Sequence, residues 1–284
     1  METVRQVAFI TLSESRPRAW VTLPGCNFRC RGCFSIAREA FGEFMSPDEL
    51  VDLLMNSSKE YYGHHSLEEI LLTGGEPTLD PEFLVSLVSK LNELTEKIVV
   101  QTNGYILDPL LTDRLIDSGL EEIICDIKAW NDEVHRWYTG RSNRPVLENI
   151  RYACERIKTT VNTLLIPDVV DVKEIEGISR FLASCHPIDM EYRINPFRSE
   201  LSPVPVSRDP TEKELDEAIR IASMYLPGSV RSRSCLRESG GNGTTHWMTV
   251  FPDGRMERRS VDDYRERNLR LYGEKGIERK DGRD

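Results

Sequence analysis

The sequence predicts an α/β fold, a partial (β/α)6 barrel of the TIM type with a small C-terminal α/β extension. Apolar segments of about five residues alternate with amphipathic helices between Ala19 and Asn195, which is typical of a parallel sheet with right-handed crossovers. Polar or glycine-rich residues follow these segments at matching positions, as they do where a barrel collects its chemistry. We expect residues 1–200 to form the barrel core and residues 201–284 the extension.

The predicted strands are short and apolar, as expected of strands that are covered on both faces. One strand, Val7–Leu12, precedes the barrel. The barrel strands are Ala19–Leu23, Glu69–Thr73, Lys97–Gln101, Glu122–Asp126, Thr159–Ile166 and Met190–Ile194.

The predicted helices have recognisable ends. Ser46 is the N-cap of the first helix, Pro47 takes its first position, Glu49 completes a capping box, and the helix should end near Asn56. The second helix begins at Pro81. The others are Leu110–Ser118, Asn131–Tyr138, Val146–Ile157, Lys173–Ser184 and Glu212–Tyr225.

The extension has a less regular pattern. Trp247–Phe251 and Arg255–Arg259 flank a Pro-Asp-Gly turn and predict a hairpin. A flexible loop is expected at Glu238–Thr245, a charged helix at Val261–Leu271 and a disordered tail after it.

The composition excludes several classes of function. The formal net charge is −10, from 37 basic and 47 acidic residues, so we expect no nucleic-acid partner. No apolar run approaches the ~20 residues of a membrane helix, and the N-terminus lacks a signal-peptide pattern, so we expect a cytoplasmic protein without a membrane partner.

Seven cysteines without a regular framework fit a reducing compartment better than a set of structural disulfides. Four of them stand alone in the sequence and are expected as small buried side chains. They are Cys125, Cys154, Cys185 and Cys235, and a second metal site that includes the last three is the alternative.

The most informative segment is Cys26-Asn27-Phe28-Arg29-Cys30-Arg31-Gly32-Cys33. Three thiolates in one loop can hold a single iron–sulfur cluster, and the common four-thiolate arrangement needs a fourth cysteine nearby. The next cysteine is Cys125. One iron would therefore lack a protein ligand and be open to a substrate or cosubstrate.

Further polar sets follow the later strands, and the carboxyl ends of parallel strands meet at one rim, so we expect a single site. Asp126 and Lys128 alternate with Cys125 and Ile127, so both should face the barrel interior. The sets are Gly74-Gly75-Glu76-Pro77, Thr102-Asn103-Gly104, Asp126 with Lys128, and Asn195-Pro196-Phe197-Arg198.

Taken together and in this order, the motifs resemble the radical S-adenosylmethionine (radical SAM) enzymes over Trp20–Arg198. The resemblance implies that Cys26, Cys30 and Cys33 hold a [4Fe–4S] cluster, and that the free iron binds the amino and carboxylate groups of S-adenosylmethionine. It also implies reductive cleavage of this cosubstrate to a 5′-deoxyadenosyl radical that removes a hydrogen atom from an unreactive C–H bond.

The resemblance also places cofactor-binding residues. It puts the amino group of the cosubstrate at Gly74, Gly75 and Glu76, where the Glu76 carboxylate would accept a charged hydrogen bond. Asp126 and Lys128 match positions that help to hold the ribose and the carboxylate. We include Asn103 in the same site.

Two positions depart from the family pattern. An aromatic residue usually precedes the third cysteine and contacts adenine, but this position is Gly32, so Phe28 or Phe34 would take over that contact. Arg198 stands where one group of this superfamily, the activating enzymes of glycyl-radical enzymes, tends to have a histidine. We expect Arg198 to pair with the cosubstrate carboxylate.

Within the superfamily, the stretch Asp126–Asn143 looks most like the activating enzymes of pyruvate formate-lyase and other glycyl-radical enzymes. The shared features are the D-x-K, an Asn-Asp before a helix, His135, and a Gly followed by Ser-Asn. We therefore expect the substrate to be a glycine of a partner glycyl-radical enzyme and the electron donor to be a flavodoxin or ferredoxin. His135 itself is expected to pack locally.

Two other functions stay open at this point. A radical SAM enzyme similar to the deazaguanine synthases would act on a small molecule or modified nucleoside, with Trp247–Leu271 capping the pocket. A noncatalytic zinc module would combine the three cysteines with His64 or His65, but it leaves GGEP and the inward Asp126 and Lys128 unexplained.

Overall fold

Strands and helices alternate along the chain, and the computed structural model describes residues 3–33, 35–232 and 246–260. The strands are β1 (Arg5–Val7), β2 (Phe9–Ser13), β3 (Arg18–Leu23), β4 (Glu43–Met45), β5 (Glu69–Gly74), β6 (Ile98–Thr102), β7 (Glu122–Asp126), β8 (Lys158–Leu165), β9 (Met190–Pro196), β10 (Val230–Ser232), β11 (His246–Val250) and β12 (Met256–Ser260). The helices are α1 (Pro47–Tyr62), α2 (Pro81–Leu91), α3 (Pro109–Asp117), α4 (Asp132–Thr139), α5 (Arg144–Cys154), α6 (Val172–Ala183) and α7 (Glu212–Tyr225).

The parallel part of the main sheet contains all six predicted barrel strands. Its neighbours are, in order, β3, β5, β6, β7, β8, β9 and β10. Side chains that point to the helices are fully buried, such as Ile70 and Leu72 of β5. Because both faces are covered, the strands are apolar runs. The predicted α/β partial barrel is confirmed, and β10 adds a short strand that gave no periodic signal.

Antiparallel strands extend the sheet beyond β3. β2 pairs with β3, β11 with β2, and β12 with β11, so the predicted C-terminal hairpin belongs to the main sheet. The predicted strand Val7–Leu12 is instead divided at Ala8, whose N–H donates to the Thr22 carbonyl at 3.0 Å. β1 pairs with β4 in a separate two-stranded sheet.

The boundary at residue 200 stays a prediction. Described elements beyond it join both edges of the main sheet, β10 at one edge and β11–β12 at the other. The predicted loop Glu238–Thr245, the predicted helix Val261–Leu271 and the tail lie outside the described residues.

Local caps set the helix starts. The Ser46 hydroxyl accepts the Glu49 N–H at 3.3 Å, and the Glu49 carboxylate accepts the Ser46 N–H at 2.7 Å. Helix α1 continues past the predicted end at Asn56 to Tyr62, with the Ser57 hydroxyl bonded to the Leu53 carbonyl at 2.7 Å inside the helix. Gly63 ends it with a φ of 82°. No described helix is long and apolar enough to span a membrane.

Charges of alternating sign occupy the amino-terminal end of the barrel. Glu69 pairs with Arg18 and, at 2.5 Å, with Lys97. Glu122 pairs with Lys97 at 3.5 Å and with Lys158 at 3.3 Å. These side chains pair with one another, and the predicted site residues lie at the opposite end.

Candidate functional site

A cavity of about 510 Å³ lies at the carboxyl ends of the parallel strands. Most of the predicted site residues line it, whereas Glu76 and Arg198 do not. The lining residues from the predicted set are Cys26, Phe28, Cys30, Cys33, Gly74, Gly75, Asn103, Asp126 and Lys128.

The cysteine loop, residues 26–33, alternates between the cavity and solvent. Phe28 and Cys30 are buried, whereas Arg29 and Arg31 are exposed. The N–H groups of Arg29 and Arg31 donate to the carbonyls of Thr139 at 2.8 Å and Tyr138 at 2.9 Å, at the end of α4. These bonds hold the loop so that its three thiols border the same cavity.

The three thiols of the cysteine loop are not arranged around a single ion. Within the described ranges, no group of three or more His, Cys, Asp or Glu side chains is arranged to hold one metal ion. Burial raises the pKa of Cys30 to about 12, so this side chain stays a neutral thiol until a metal displaces its proton. Cys125 is fully buried with its sulfur against Gly104, where it does not offer a fourth thiolate to the cavity.

Gly75 lets two turns come into contact. A Cβ atom at this position would lie 2.1 Å from the Gly25 carbonyl oxygen and 2.4 Å from that of Ala37. The Gly75 N–H donates to Leu23 at 2.9 Å, and the Glu76 N–H donates to Gly25 at 2.7 Å. The Gly-Gly turn therefore packs directly on the segment that leads into the cysteine loop and presents bare backbone to the cavity.

Glu76 is fully buried behind the cavity wall. Its carboxylate accepts the N–H and hydroxyl of Thr78 at 3.0 and 2.6 Å, the hydroxyl of Thr102 at 2.6 Å and the N–H of Asn103 at 2.7 Å. Burial raises the pKa of Glu76, and the same hydrogen bonds oppose the rise. The expected contact with an amino group stays a prediction; in the structure, this carboxylate joins the turn after β5 to the turn after β6.

Asp126 and Lys128 both face the cavity, as strand alternation predicts. Lys128 Nζ lies 3.0 Å from Asp126 Oδ2, and the two side chains are 21% and 20% exposed. Although burial lowers it, the Asp126 carboxylate raises the pKa of Lys128 overall. Lys128 therefore remains a cation beside the thiols.

Arg198 does not reach the cavity. It precedes the 3-10 turn Ser199–Leu201, and its charge acts on Asp209. The Ser199 N–H, which donates to Asp209 at 2.6 Å, is the main reason that the pKa of Asp209 is lowered, and Arg198 adds to the effect. The expected pairing of Arg198 with a cosubstrate carboxylate stays a prediction.

The Phe28 ring lines the cavity and is held by two edge-on contacts. Its centroid lies 5.7 Å from that of Tyr105 and 5.5 Å from that of His135. His135 is fully buried, and its Nδ1 lies 2.8 Å from the Arg141 carbonyl, so it packs locally as expected. The alternative adenine contact, Phe34, lies outside the described residues.

Sequence reasoning missed two residues that support this site. Arg5 is 7% exposed and donates to the carbonyls of Glu76 at 2.7 Å, Pro24 at 3.5 Å and Pro77. Its main partner is 71 positions away, so no local pattern marks it. Asn27 lies within the predicted cysteine loop, but no role was predicted for it. Its Oδ1 accepts a hydrogen bond from the Asn103 side-chain amide at 2.7 Å.

The residues of the alternative metal sites lie elsewhere. His64 and His65 follow the end of α1 and do not line the cavity. Cys154 and Cys185 are buried neighbours, with the Cys154 thiol 3.7 Å from the Cys185 carbonyl. Cys235 lies outside the described residues.

Comparison with known proteins gives a consistent family. The model of the Radical SAM superfamily matches residues 20–182. A putative glycyl-radical enzyme activating enzyme of Methanocaldococcus jannaschii is 33% identical over 207 residues, which cover 71% of this chain and 75% of the relative.

Two further matches bear on substrate and fold. A GTP 3′,8-cyclase of Staphylococcus carnosus is 32% identical over 165 residues, which cover 55% of this chain and 47% of the cyclase. A crystal structure of a domain of a pyruvate-formate lyase-activating enzyme from Bacteroides vulgatus superimposes with a TM-score of 0.51 at 22% identity, covering 59% of this chain and 99% of that domain. The chain thus spans three quarters of the archaeal relative and about half of the cyclase.

Proposed function

The chain belongs to the radical SAM superfamily, and on this premise we propose that it abstracts a hydrogen atom from a glycine residue of a partner protein. Enzymes of this superfamily use a [4Fe–4S] cluster and S-adenosylmethionine, which together supply one-electron cleavage of the sulfonium and a 5′-deoxyadenosyl radical. The zinc-module alternative is not supported, because the chain matches the Radical SAM superfamily and because His64 and His65 do not line the cavity with the three thiols.

The residues around the cavity have separate tasks in this proposal. Cys26, Cys30 and Cys33 hold the cluster from one wall. The backbone of Gly74 and Gly75 accepts hydrogen bonds from the cosubstrate's amino group, because no side chain stands between it and the cavity.

Charge and hydrogen bonding fix the rest of the cosubstrate. Lys128 attracts its carboxylate, and Asp126 accepts from its ribose hydroxyls. Glu76 is a positioning residue, because its hydrogen bonds set the distance between the Gly-Gly turn and Asn103.

The single observation that carries the glycine proposal is the uncharged lining of the cavity. Apart from the thiols and the Asp126–Lys128 pair, the lining residues are apolar, or neutral and capable of hydrogen bonding. They include Phe9, Thr11, Trp20, Thr22, Thr73, Gln101 and Leu164.

The backbone of a peptide segment around glycine is uncharged and finds hydrogen-bonding partners in such a lining. A nucleoside triphosphate needs several cations, because phosphate recognition depends on arginine, lysine or metal ions. Among the described residues that line the cavity, Lys128 is the sole Lys or Arg, and Asp126 already pairs with it. The lining therefore favours a peptide over the substrate class named for the cyclase.

The test is transfer of a label from glycine. The cluster is reconstituted anaerobically and reduced, and S-adenosylmethionine is added with a glycyl-radical enzyme of the same genome that carries glycine deuterated at Cα. We expect deuterium in 5′-deoxyadenosine and a protein radical in the electron paramagnetic resonance spectrum, both absent with Cys30→Ala. Deuterium transfer from a labelled nucleotide or other small molecule instead of glycine would overturn the proposal.

A further inference from the structure

The outer side of the cysteine loop carries positive charge. Arg29 and Arg31 are exposed and flank the buried Cys30, so the loop presents a thiol to the cavity and guanidinium groups to solvent. Arg29 Nη1 donates to the Cys26 carbonyl at 2.7 Å, which holds its side chain along the loop.

Helix α4 completes the same surface. Trp137 is 46% exposed, and the Arg31 guanidinium carbon lies 4.7 Å from the centre of its ring. Arg31 Nε also donates to the Trp137 carbonyl at 2.9 Å, and Arg141 Nε reaches the Asn27 carbonyl at 3.4 Å. We call Arg29, Arg31, Trp137 and Arg141 the arginine surface.

The charges of this surface are not neutralised by the described residues around it. Arg29, Arg31 and Arg141 donate to carbonyl oxygens, and none of them forms an ion pair with a described carboxylate. Neighbouring acids do exist: Asp132 is bound to Arg136 at 2.7 Å, and Glu133 is exposed at the start of α4. The whole chain carries a formal charge of −10, so the arginine surface is a local positive region on an acidic protein.

We propose that the arginine surface is the docking site of an acidic one-electron donor protein that reduces the cluster. The proposal rests on the proposed function, because that reaction consumes one electron for each S-adenosylmethionine cleaved. The donor is oxidised by one electron, the cluster is reduced by one electron, and no atom is transferred.

The position of the surface favours a reductant over the protein substrate. A substrate must bring a C–H bond into the cavity, on the inner side of the loop. A reductant only has to approach the cluster, and Arg29 and Arg31 are exposed on either side of Cys30, which borders the cavity. The two partners would then bind on different sides of the loop.

The composition of the surface suits a charged partner. Exposed tryptophan and arginine are the residues that most often dominate the energy of protein interfaces. An acidic partner is repelled by the net charge of this chain, and a local basic region offsets that repulsion and orients the encounter. Association should therefore depend strongly on salt.

The test follows reduction of the cluster-loaded full chain by a reduced flavodoxin, an acidic one-electron carrier, in anaerobic stopped flow. For the unmodified chain we expect the second-order rate constant to fall about tenfold between low and physiological salt. The double variant Arg29→Glu/Arg31→Glu should lose about tenfold at low salt and most of its salt dependence. Lys213→Glu/Arg220→Glu on α7 changes the net charge equally and should stay within about twofold of the unmodified rate.

Two further variants control for the possibility that the double substitution slows reduction by distorting the cysteine loop. Trp137→Ala and Arg141→Glu lie outside residues 26–33 and should each slow flavodoxin several-fold while iron content stays unchanged. A small photoreduced deazaflavin, which needs no docking surface, should reduce Trp137→Ala and Arg141→Glu as fast as the unmodified chain.

Unchanged flavodoxin rates in the charge-reversed variants would overturn the proposal. So would normal flavodoxin rates combined with loss of radical transfer to a glycyl-radical enzyme, since the surface would then bind the substrate protein. Failure of the glycine proposal leaves this test intact, because cluster reduction is measured without a substrate.

Discussion

The backbone N–H of Asn103 donates to the carboxylate of Glu76 at 2.7 Å, so the turn after β6 is attached to the turn after β5. Asn103 in turn donates its side-chain amide to Asn27 at 2.7 Å, within the cysteine loop. Three strand ends that are distant in sequence are thereby connected through one buried acid. Its loss should affect the geometry of the whole site.

Glu76→Gln tests this connection. The amide oxygen can keep the bonds from Thr78 and Thr102, but the amide nitrogen then faces the Asn103 N–H, and two donors oppose each other. We expect unfolding of the cluster-free chain to require about 1–3 kcal/mol less free energy, with weaker binding of S-adenosylmethionine to the loaded enzyme. Glu93→Gln, at an exposed position, is the control. Equal stability of both variants would show that the buried carboxylate is not needed as an acceptor.

Gly75→Ala should disrupt contact between the Gly-Gly turn and the cysteine loop. The added methyl group would meet the backbone oxygens of Gly25 and Ala37 at 2.1 and 2.4 Å, and backbone cannot move aside as a side chain can. We expect lower iron content after reconstitution and at least about tenfold weaker binding of S-adenosylmethionine. Gly63→Ala is the comparison, because φ there is 82° but the space is open, so it should cost about 1 kcal/mol of stability and leave iron content unchanged. Equal iron content in the two variants would contradict the prediction.

The elements that were predictable from sequence have local causes. Ser46, Glu49 and Asp80 lie next to the N–H groups they cap, so the helix starts follow from neighbouring residues. The predicted end of α1 near Asn56 was wrong, because the helix runs on to Tyr62 and ends at Gly63. The pairing of β11 with β2 joins residues more than two hundred positions apart, and no local pattern carries that information.

In the candidate site, too, the residues with a local sequence signal were predicted and those placed by distant contacts were not. The thiols and the Gly-Gly turn were found because their spacing is itself the signal. The position of Arg198 outside the cavity lining was not predicted, because it depends on how the chain turns after β9. Nor was the part played by Arg5, whose guanidinium donates to the backbone of two separate turns.

Stability should respond to acid through Asp132. Its carboxylate accepts the Ser142 hydroxyl at 2.7 Å, the Asn143 N–H at 2.9 Å and Arg136 Nε at 2.7 Å, and the Ser142 hydroxyl is the largest cause that lowers the pKa of Asp132 to about 2. Because the folded pKa lies below the unfolded value, the stabilisation is complete above the unfolded pKa and is lost as pH falls towards 2. The free energy of unfolding of the cluster-free chain should therefore exceed that of Asp132→Asn at pH 6, with a difference that shrinks between pH 4 and 2. A constant difference over that range would contradict it.

The cysteines should divide into two classes by iron content. Cys30→Ala removes a thiol that borders the cavity, and we expect most of the reconstituted iron and sulfide to be lost. Cys154→Ala and Cys185→Ala remove buried thiols that bond to backbone carbonyls, so they should keep the full iron content and lose only about 1 kcal/mol of stability. A fall in iron with either of the latter would indicate a second metal site.

Asp126 and Lys128 should behave as a coupled pair in stability and as separate groups in binding. Removing one partner leaves the other charge with little compensation in a site that is only one-fifth exposed, so Asp126→Asn and Lys128→Met should each cost about 2 kcal/mol of unfolding free energy. The double variant removes both charges and should cost clearly less than the sum of the two single changes, with a coupling of about 1 kcal/mol or more.

S-Adenosylmethionine binding should not recover in the double variant, because the proposed contacts with the carboxylate and ribose are lost together. Lys213→Met, at an exposed position of α7, controls for loss of a lysine. Additive stabilities would contradict the ion pair, and unimpaired binding in the double variant would remove both residues from the cosubstrate site.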